Sequence, residues 1–230
     1  MATKKANTAV EIKPIELVDS NVTLVGNTPL IVHAWSEKAK REMLEKQMGK
    51  GGKAKREQKV PTNDFVNSLY WLTPKPEEGA DDEEAMANYL EAIANGAKFG
   101  FSIGGIKQSV IMGAKRGGLD VVGTDLRASF FLLGRGEAST MDLAEIVTPE
   151  PPTMREDMVR VGGISKTADV RHRAEFANWE IPLTIRWNKN GKYTLDQICN
   201  CIAVGGFACG IGEWRPEKDG QFGMYGVELR

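Results

Sequence analysis

Trp179-Glu180-Ile181-Pro182-Leu183-Thr184-Ile185-Arg186-Trp187 decides the fold. Trp179, Ile181, Leu183, Ile185 and Trp187 alternate with Glu180, Pro182, Thr184 and Arg186 without a miss. Side chains of a strand point to opposite faces in turn, so this period of two predicts one buried face and one wet face. Pro182 lacks a backbone donor and predicts a bulge or an edge position. The wet positions carry no aromatic ring, which argues against a simple base-stacking platform on this strand.

Working outward, Asn188 to Gly191 reads as a turn, and Thr194-x-x-Gln197 as a capping box that starts a helix. Leu195, Ile198, Cys199 and Ile202 give that helix its apolar stripe, and the chain closes on a strand from Phe222 to Leu229. Upstream, Ala128 to Leu133 is a strand apolar but for Ser129, preceded by a helix from Ile103 to Lys115 that Ser102 caps and Gly117-Gly118 ends. A first strand falls at Asn21 to Gly26, with extended chain continuing from Pro29 to His33. The order is βαββαβ, which predicts an α+β chain with a ferredoxin-like core. The core takes in about residues 14–33, 102–133 and 179–230 of a single domain.

Two insertions interrupt this core. The first, roughly 34–101, is helical: Ser36 caps a helix to about Met48, a second spans about Asn63 to Leu72, and Asp81-x-x-Glu84 opens a third. The second insertion, roughly 134–178, reads as a β-hairpin thumb with short strands at Leu143 to Thr148 and Met158 to Val161.

The chain has 230 residues, 41% hydrophobic and 27% charged, with a formal net charge of −1. It is therefore not polybasic as a whole, and any electrostatic binding needs charge gathered on one face. No apolar run is long enough to span a bilayer, and the lysine-bearing start, Met1 to Lys13, lacks the apolar stretch of a secretory signal. Cys199, Cys201 and Cys209 are odd in number and lack metal-site spacing, which predicts reduced thiols, a cytoplasmic setting and no metal or cofactor. His33 and His172 sit in no nucleophile motif, so a non-enzymatic binding protein is expected.

Three landmarks carry a resemblance: Thr28-Pro29-Leu30-Ile31-Val32-His33, the basic helix from Ser36 to Lys50, and Gly210-Ile211-Gly212-Glu213-Trp214-Arg215-Pro216 before Phe222-Gly223. From about residue 22 onward the chain resembles uncharacterised small proteins of phage and prophage genomes. Their architecture is similar to the RAMP superfamily, whose members include the backbone subunits of CRISPR effector complexes. The resemblance implies a ferredoxin-like palm, a helical insertion and a thumb that together hold single-stranded RNA, with homo-oligomers or filaments forming along the strand inside a bacterial host cell. It also leaves open metal-assisted RNA cleavage through acids such as Asp157 and Asp169.

Charge points to the same ligand class. From Glu37 to Lys59 there are nine basic residues, including Lys38, Lys40, Arg41, Lys46, Lys50 and Lys53, against four acidic ones. Dense cations suit phosphates, because each neutralised phosphate releases counterions; the bland alternative is a solvated loop. The thumb adds Arg160, Lys166, Arg171 and Arg173, which either grip phosphate or pair with Glu156, Asp157, Asp169 and Glu175. Gly104-Gly105 before Lys107 opens a helix where an anion can sit. Trp214 either stacks on a base or lies in the core, and Arg215 either reaches a phosphate or pairs with an acid such as Glu213. The expectation is a binder of single-stranded nucleic acid, RNA or DNA. A protein-interaction or virion-associated module is the alternative.

Overall fold

The computed structural model describes residues 13–35, 37–49, 59–161 and 167–229. Four strands form one antiparallel sheet in the order β4-β8-β1-β9: β1 (Leu17–Gly26), β4 (Phe130–Gly134), β8 (Glu180–Asn188) and β9 (Tyr225–Leu229). These are the four segments that sequence pattern assigned to a common sheet, with starts shifted. The first two residues of the expected strand at 128–133 belong to a short helix, α5 (Gly123–Ser129), and β9 begins three residues after Phe222.

Alternation on β8 holds: Ile181, Leu183 and Ile185 are fully buried beside Val22 and Leu24 of β1 and Phe130 of β4. Pro182, expected at a bulge or an edge, is interior to the sheet, and its pairing to Thr23 falls in an unbroken register. The reason is which way its missing donor points. The Pro182 carbonyl accepts from the Arg135 amide (3.1 Å), so its nitrogen faces the side where β4 stops at Gly134. No ladder bond is lost there.

Helices α4 (Ile103–Arg116) and α6 (Leu195–Ala208) pack into the same core. Ser102 caps α4 by accepting from the Gly105 amide, and Thr194 with Gln197 forms the reciprocal capping box of α6. The helices touch through glycine: a Cβ on Gly113 would lie 2.4 Å from the Gly205 Cα. Beneath them, the Tyr225 hydroxyl meets Ser109 Oγ at 3.0 Å.

The insertions contribute more strand than their sequence suggested. Region 34–101 holds α1 (Glu37–Gln47), α2 (Pro61–Ser68), α3 (Asp82–Ala94) and an unforeseen strand, β3 (Phe99–Ser102). Ser36, the expected cap of α1, lies outside the described residues. Strand β5 (Leu143–Ile146) pairs with β3, while β6 (Thr153–Val161) pairs with β7 (Thr167–Phe176) in a long hairpin. The two thumb strands read from sequence therefore do not pair with each other. The hairpin is joined to the body by β2 (Leu30–Val32), which pairs with β7, and by α2 against its face, where Ser68 Oγ accepts from the Ala174 amide (2.8 Å). No helix among the described residues is long and apolar enough to cross a membrane.

Candidate nucleic-acid interface

The segment from Gly210 to Gly223 is a loop held rigidly between β2 and the hairpin. Its turns use left-handed backbone at Gly210 (φ +67), Gly212 (φ +78) and Gly223 (φ +65), where a side chain would be strained. Gly212 also lies so close to β2 that a Cβ would meet the Ile31 carbonyl at 2.3 Å. Three backbone bonds fix the loop: Glu213 N to Ile31 O (2.9 Å), Gly223 N to Pro29 O (2.8 Å) and Ile211 N to Gly223 O (2.9 Å). The two sequence landmarks, 28–33 and 210–216, are thus one structural unit.

Against this unit lies a run of charges from the hairpin. Arg155, Asp157, Arg171, Arg173 and Glu175 share one face of β6 and β7, because Arg155 pairs in register with Arg173 and Asp157 with Arg171. Arg155 joins Asp157 (2.9 Å) and Glu175 (2.7 Å), and its guanidinium stacks 4.6 Å above the Phe222 ring. Arg173 has only 3% of its side chain exposed, between Asp157 (3.4 Å) and Glu213 (3.8 Å). Its Nε is buried with no hydrogen-bond partner among the described residues. Arg173 is thus a buried, carboxylate-paired cation, the ion-pair alternative of the sequence reading. Arg171 is half-buried and 3.4 Å from Asp169. His172 points to the opposite face, where its Nε2 meets Glu156 (3.1 Å).

Glu213 is the acidic centre of the loop. His33 beside it, and then Arg173 and Arg215, hold its carboxyl below the usual glutamate range against the opposing effect of burial. Its Oε1 is 3.8 Å from His33 Nδ1. Both His33 and Arg173, 3.8 Å away, therefore stand beyond hydrogen-bond range. Arg215 is engaged elsewhere: it donates to Glu217 from Nε (2.9 Å) and Nη2 (2.6 Å) and to the Gly212 carbonyl from Nη1 (2.9 Å). So Arg215 pairs with Glu217 rather than Glu213, and braces the loop. Trp214 does not take its core reading. It is 40% exposed, outside the core, on left-handed backbone (φ 51).

The most exposed tryptophan was not singled out from sequence. Trp35 is 61% exposed and stands between β2 and α1. It lines three cavities at once. One of about 470 Å³ also holds Lys40, Tyr70, Trp71 and Lys75. Another of about 380 Å³ holds His33, Lys59, Arg171 and His172. The third, about 290 Å³, lies against the glycine loop and takes in Tyr70, Gln108 and Glu213. The available signal was position: Trp35 stands outside every apolar period and immediately before the basic helix.

Other residues expected at the interface are scattered. Lys40 and Arg41 are exposed on α1, and Arg160 is exposed near the tip of β6. Lys50, Lys53 and Lys166 lie outside the described residues, as do the side chains of Lys38 and Lys46. Lys107 turns to the edge of the sheet: its Nζ donates to the Phe130 carbonyl (2.7 Å) and sits 4.5 Å over the Phe131 ring. Burial, with Arg127 nearby, lowers its pKa. On the outer sheet face, Arg186 forms a two-pronged pair with Asp19 (2.8 and 2.8 Å), and Phe131, 57% exposed, is the cross-strand neighbour of Arg186. No protein-family model and no curated protein matches this chain.

Proposed function

We propose that this protein is a non-enzymatic binder of single-stranded nucleic acid, built on a ferredoxin-like palm and assembling along the strand as copies of itself. The observation that carries this reading is Trp35, an exposed ring at the junction of three cavities that also hold Lys40, Lys59 and Arg171, the last two beside Asp64 and Asp169. Stacking on an aromatic ring is tolerant of sequence, and nearby cations follow the backbone; together they are the usual means of holding a single strand. The palm is supported by the strand order β4-β8-β1-β9 and by α4 and α6 placed between its strands in sequence. The strand runs past α1 and Trp35 toward the hairpin.

The test is fluorescence anisotropy with labelled RNA and DNA strands across a salt series. Trp35→Ala should lower affinity by about 1–3 kcal/mol. Reversing Lys40 and Arg41 to Glu should weaken binding for every sequence and flatten the salt dependence by about 0.7 units of slope per lost phosphate contact. Unchanged affinity and slope in folded variants sink the reading.

One observation favours a second reading, a protein-docking module. On α1, Met43 (40%) and Leu44 (56%), and just after it Met48 (57%), expose apolar side chains beside its charges. Should the charge reversal leave nucleic-acid binding intact, α1 is the face to probe for a protein partner.

A further inference from the structure

The cavity against the glycine loop has the donors and acceptors of a base-reading pocket. Resting on the strand-binding function proposed above, we infer that it takes a guanine base from the bound strand, with the Glu213 carboxylate accepting from the guanine N1–H and N2–H groups.

The size is right for one small planar group: the volume of about 290 Å³ stands at the lower end of small-ligand pockets. The aromatic wall is present. Trp35 offers an exposed face, and Tyr70 is held neutral, its pKa raised by burial and by the Glu213 charge. The decisive element is Glu213. Its backbone is fixed by the bond from its amide to the Ile31 carbonyl (2.9 Å), between two left-handed residues, Gly212 and Trp214. His33 Nδ1 and Arg173 Nη2 each stand 3.8 Å from one of its oxygens, and the half-exposed carboxylate lines the cavity. At that distance each oxygen keeps lone pairs for closer donors, and a carboxylate can take two adjacent ones.

Among the four bases, only guanine presents two adjacent N–H donors on its Watson–Crick edge. Adenine and cytosine each place one amino group beside an acceptor, and uracil and thymine flank their single N–H with carbonyls. Gln108 lines the same cavity; its Oε1 accepts from Arg127 (3.4 Å), which leaves its amide nitrogen as a donor for the guanine O6. Arg215, engaged with Glu217 and Gly212, does not compete for the Glu213 carboxylate by a hydrogen bond.

The experiment compares 12-nucleotide strands, made as RNA and as DNA: all-pyrimidine (uridine or thymidine), and the same strand with one central guanosine, inosine or adenosine. One guanosine should tighten binding by about 5- to 150-fold, the discrimination of one good two-pronged contact. Inosine, which lacks the N2 amino group, should lose most of that gain in the wild-type protein, and adenosine all of it. Glu213→Gln, checked by circular dichroism for folding, should bring the guanosine-to-pyrimidine ratio close to one. Strands that bind without guanosine preference, or a preference that survives Glu213→Gln or inosine, overturn the pocket while leaving strand binding standing. If no strand binds, the strand-binding function itself is overturned, and guanosine monophosphate titrated against tryptophan fluorescence decides the pocket alone. Saturable quenching that Glu213→Gln abolishes supports it, and absence of quenching overturns it.

Discussion

Oε2 of Glu213 lies 3.8 Å from Nη2 of Arg173, so a half-exposed carboxylate faces a guanidinium with 3% of its side chain exposed. Removing the arginine leaves Asp157 with Arg155 and Glu213 with His33, so neither acid is wholly abandoned. Arg173→Ala should therefore destabilise by about 3 kcal/mol, the low end for breaking a buried pair. The urea midpoint reads this directly; a loss under about 1 kcal/mol would mean that the guanidinium is not structural.

The same pair sets a pH dependence. His33, then Arg173 and Arg215, depress the folded pKa of Glu213, so the stabilising contribution is fully present above the ordinary glutamate pKa. It is lost as pH falls through the depressed folded value. The stability gap between wild type and Glu213→Gln should thus close as pH falls below about 4. Denaturation curves from pH 5 to 3 check the sign: a gap that widens over that range contradicts it.

Glycine positions separate contact from propensity. A Cβ on Gly205 would stand 2.7 Å from the Val110 Cα of the facing helix, whereas one on Gly104 meets nothing nearer than Ser102 Oγ at 3.7 Å. Gly205→Ala should cost about 1–3 kcal/mol by overpacking, while Gly104→Ala should stabilise by about 0.4–1 kcal/mol through the unfolded chain. Thermal unfolding of the two variants should move in opposite directions.

Trp214 is 40% exposed on left-handed backbone, so Trp214→Ala should cost less than the 3–5 kcal/mol of a buried tryptophan. Trp214→Gly should be more stable than Trp214→Ala, because glycine alone takes that φ without strain. The reverse order in a denaturant titration would show that the Cβ packs usefully.

Much of the frame could be read from local pattern. The Trp179 to Trp187 alternation, the Thr194 and Gln197 box and the Ser102 cap are short-range signals, and each is present in the structure. Strand β3 escaped because Phe99-Gly100-Phe101-Ser102 is only four residues long, holds a glycine and abuts a helix cap. Strand β7 escaped because its residues from Asp169 to Glu175 are mostly charged, and their burial depends on a loop some forty residues later. Arg173 shows the limit sharply: composition reads a charged thumb, while the fold buries that side chain between Asp157 and Glu213. Trp35 was missed for the converse reason. Its position outside every apolar period marks it only weakly, and its three cavities are made by chain from many parts of the sequence.

Among the described residues, strand β1 pairs with β8 and β9, the segments Glu180–Asn188 and Tyr225–Leu229. During synthesis, then, the first strand of the sheet leaves the ribosome with both edges bare and keeps them so until β8, far along the chain, has followed. At the usual pace of about 5–20 residues per second, that exposure lasts on the order of ten seconds or more. Loop closure over such separations makes folding slow. A ribosome stalled within the hairpin would release a chain whose Val22 and Leu24 have no sheet to enter, a natural substrate for chaperone or protease.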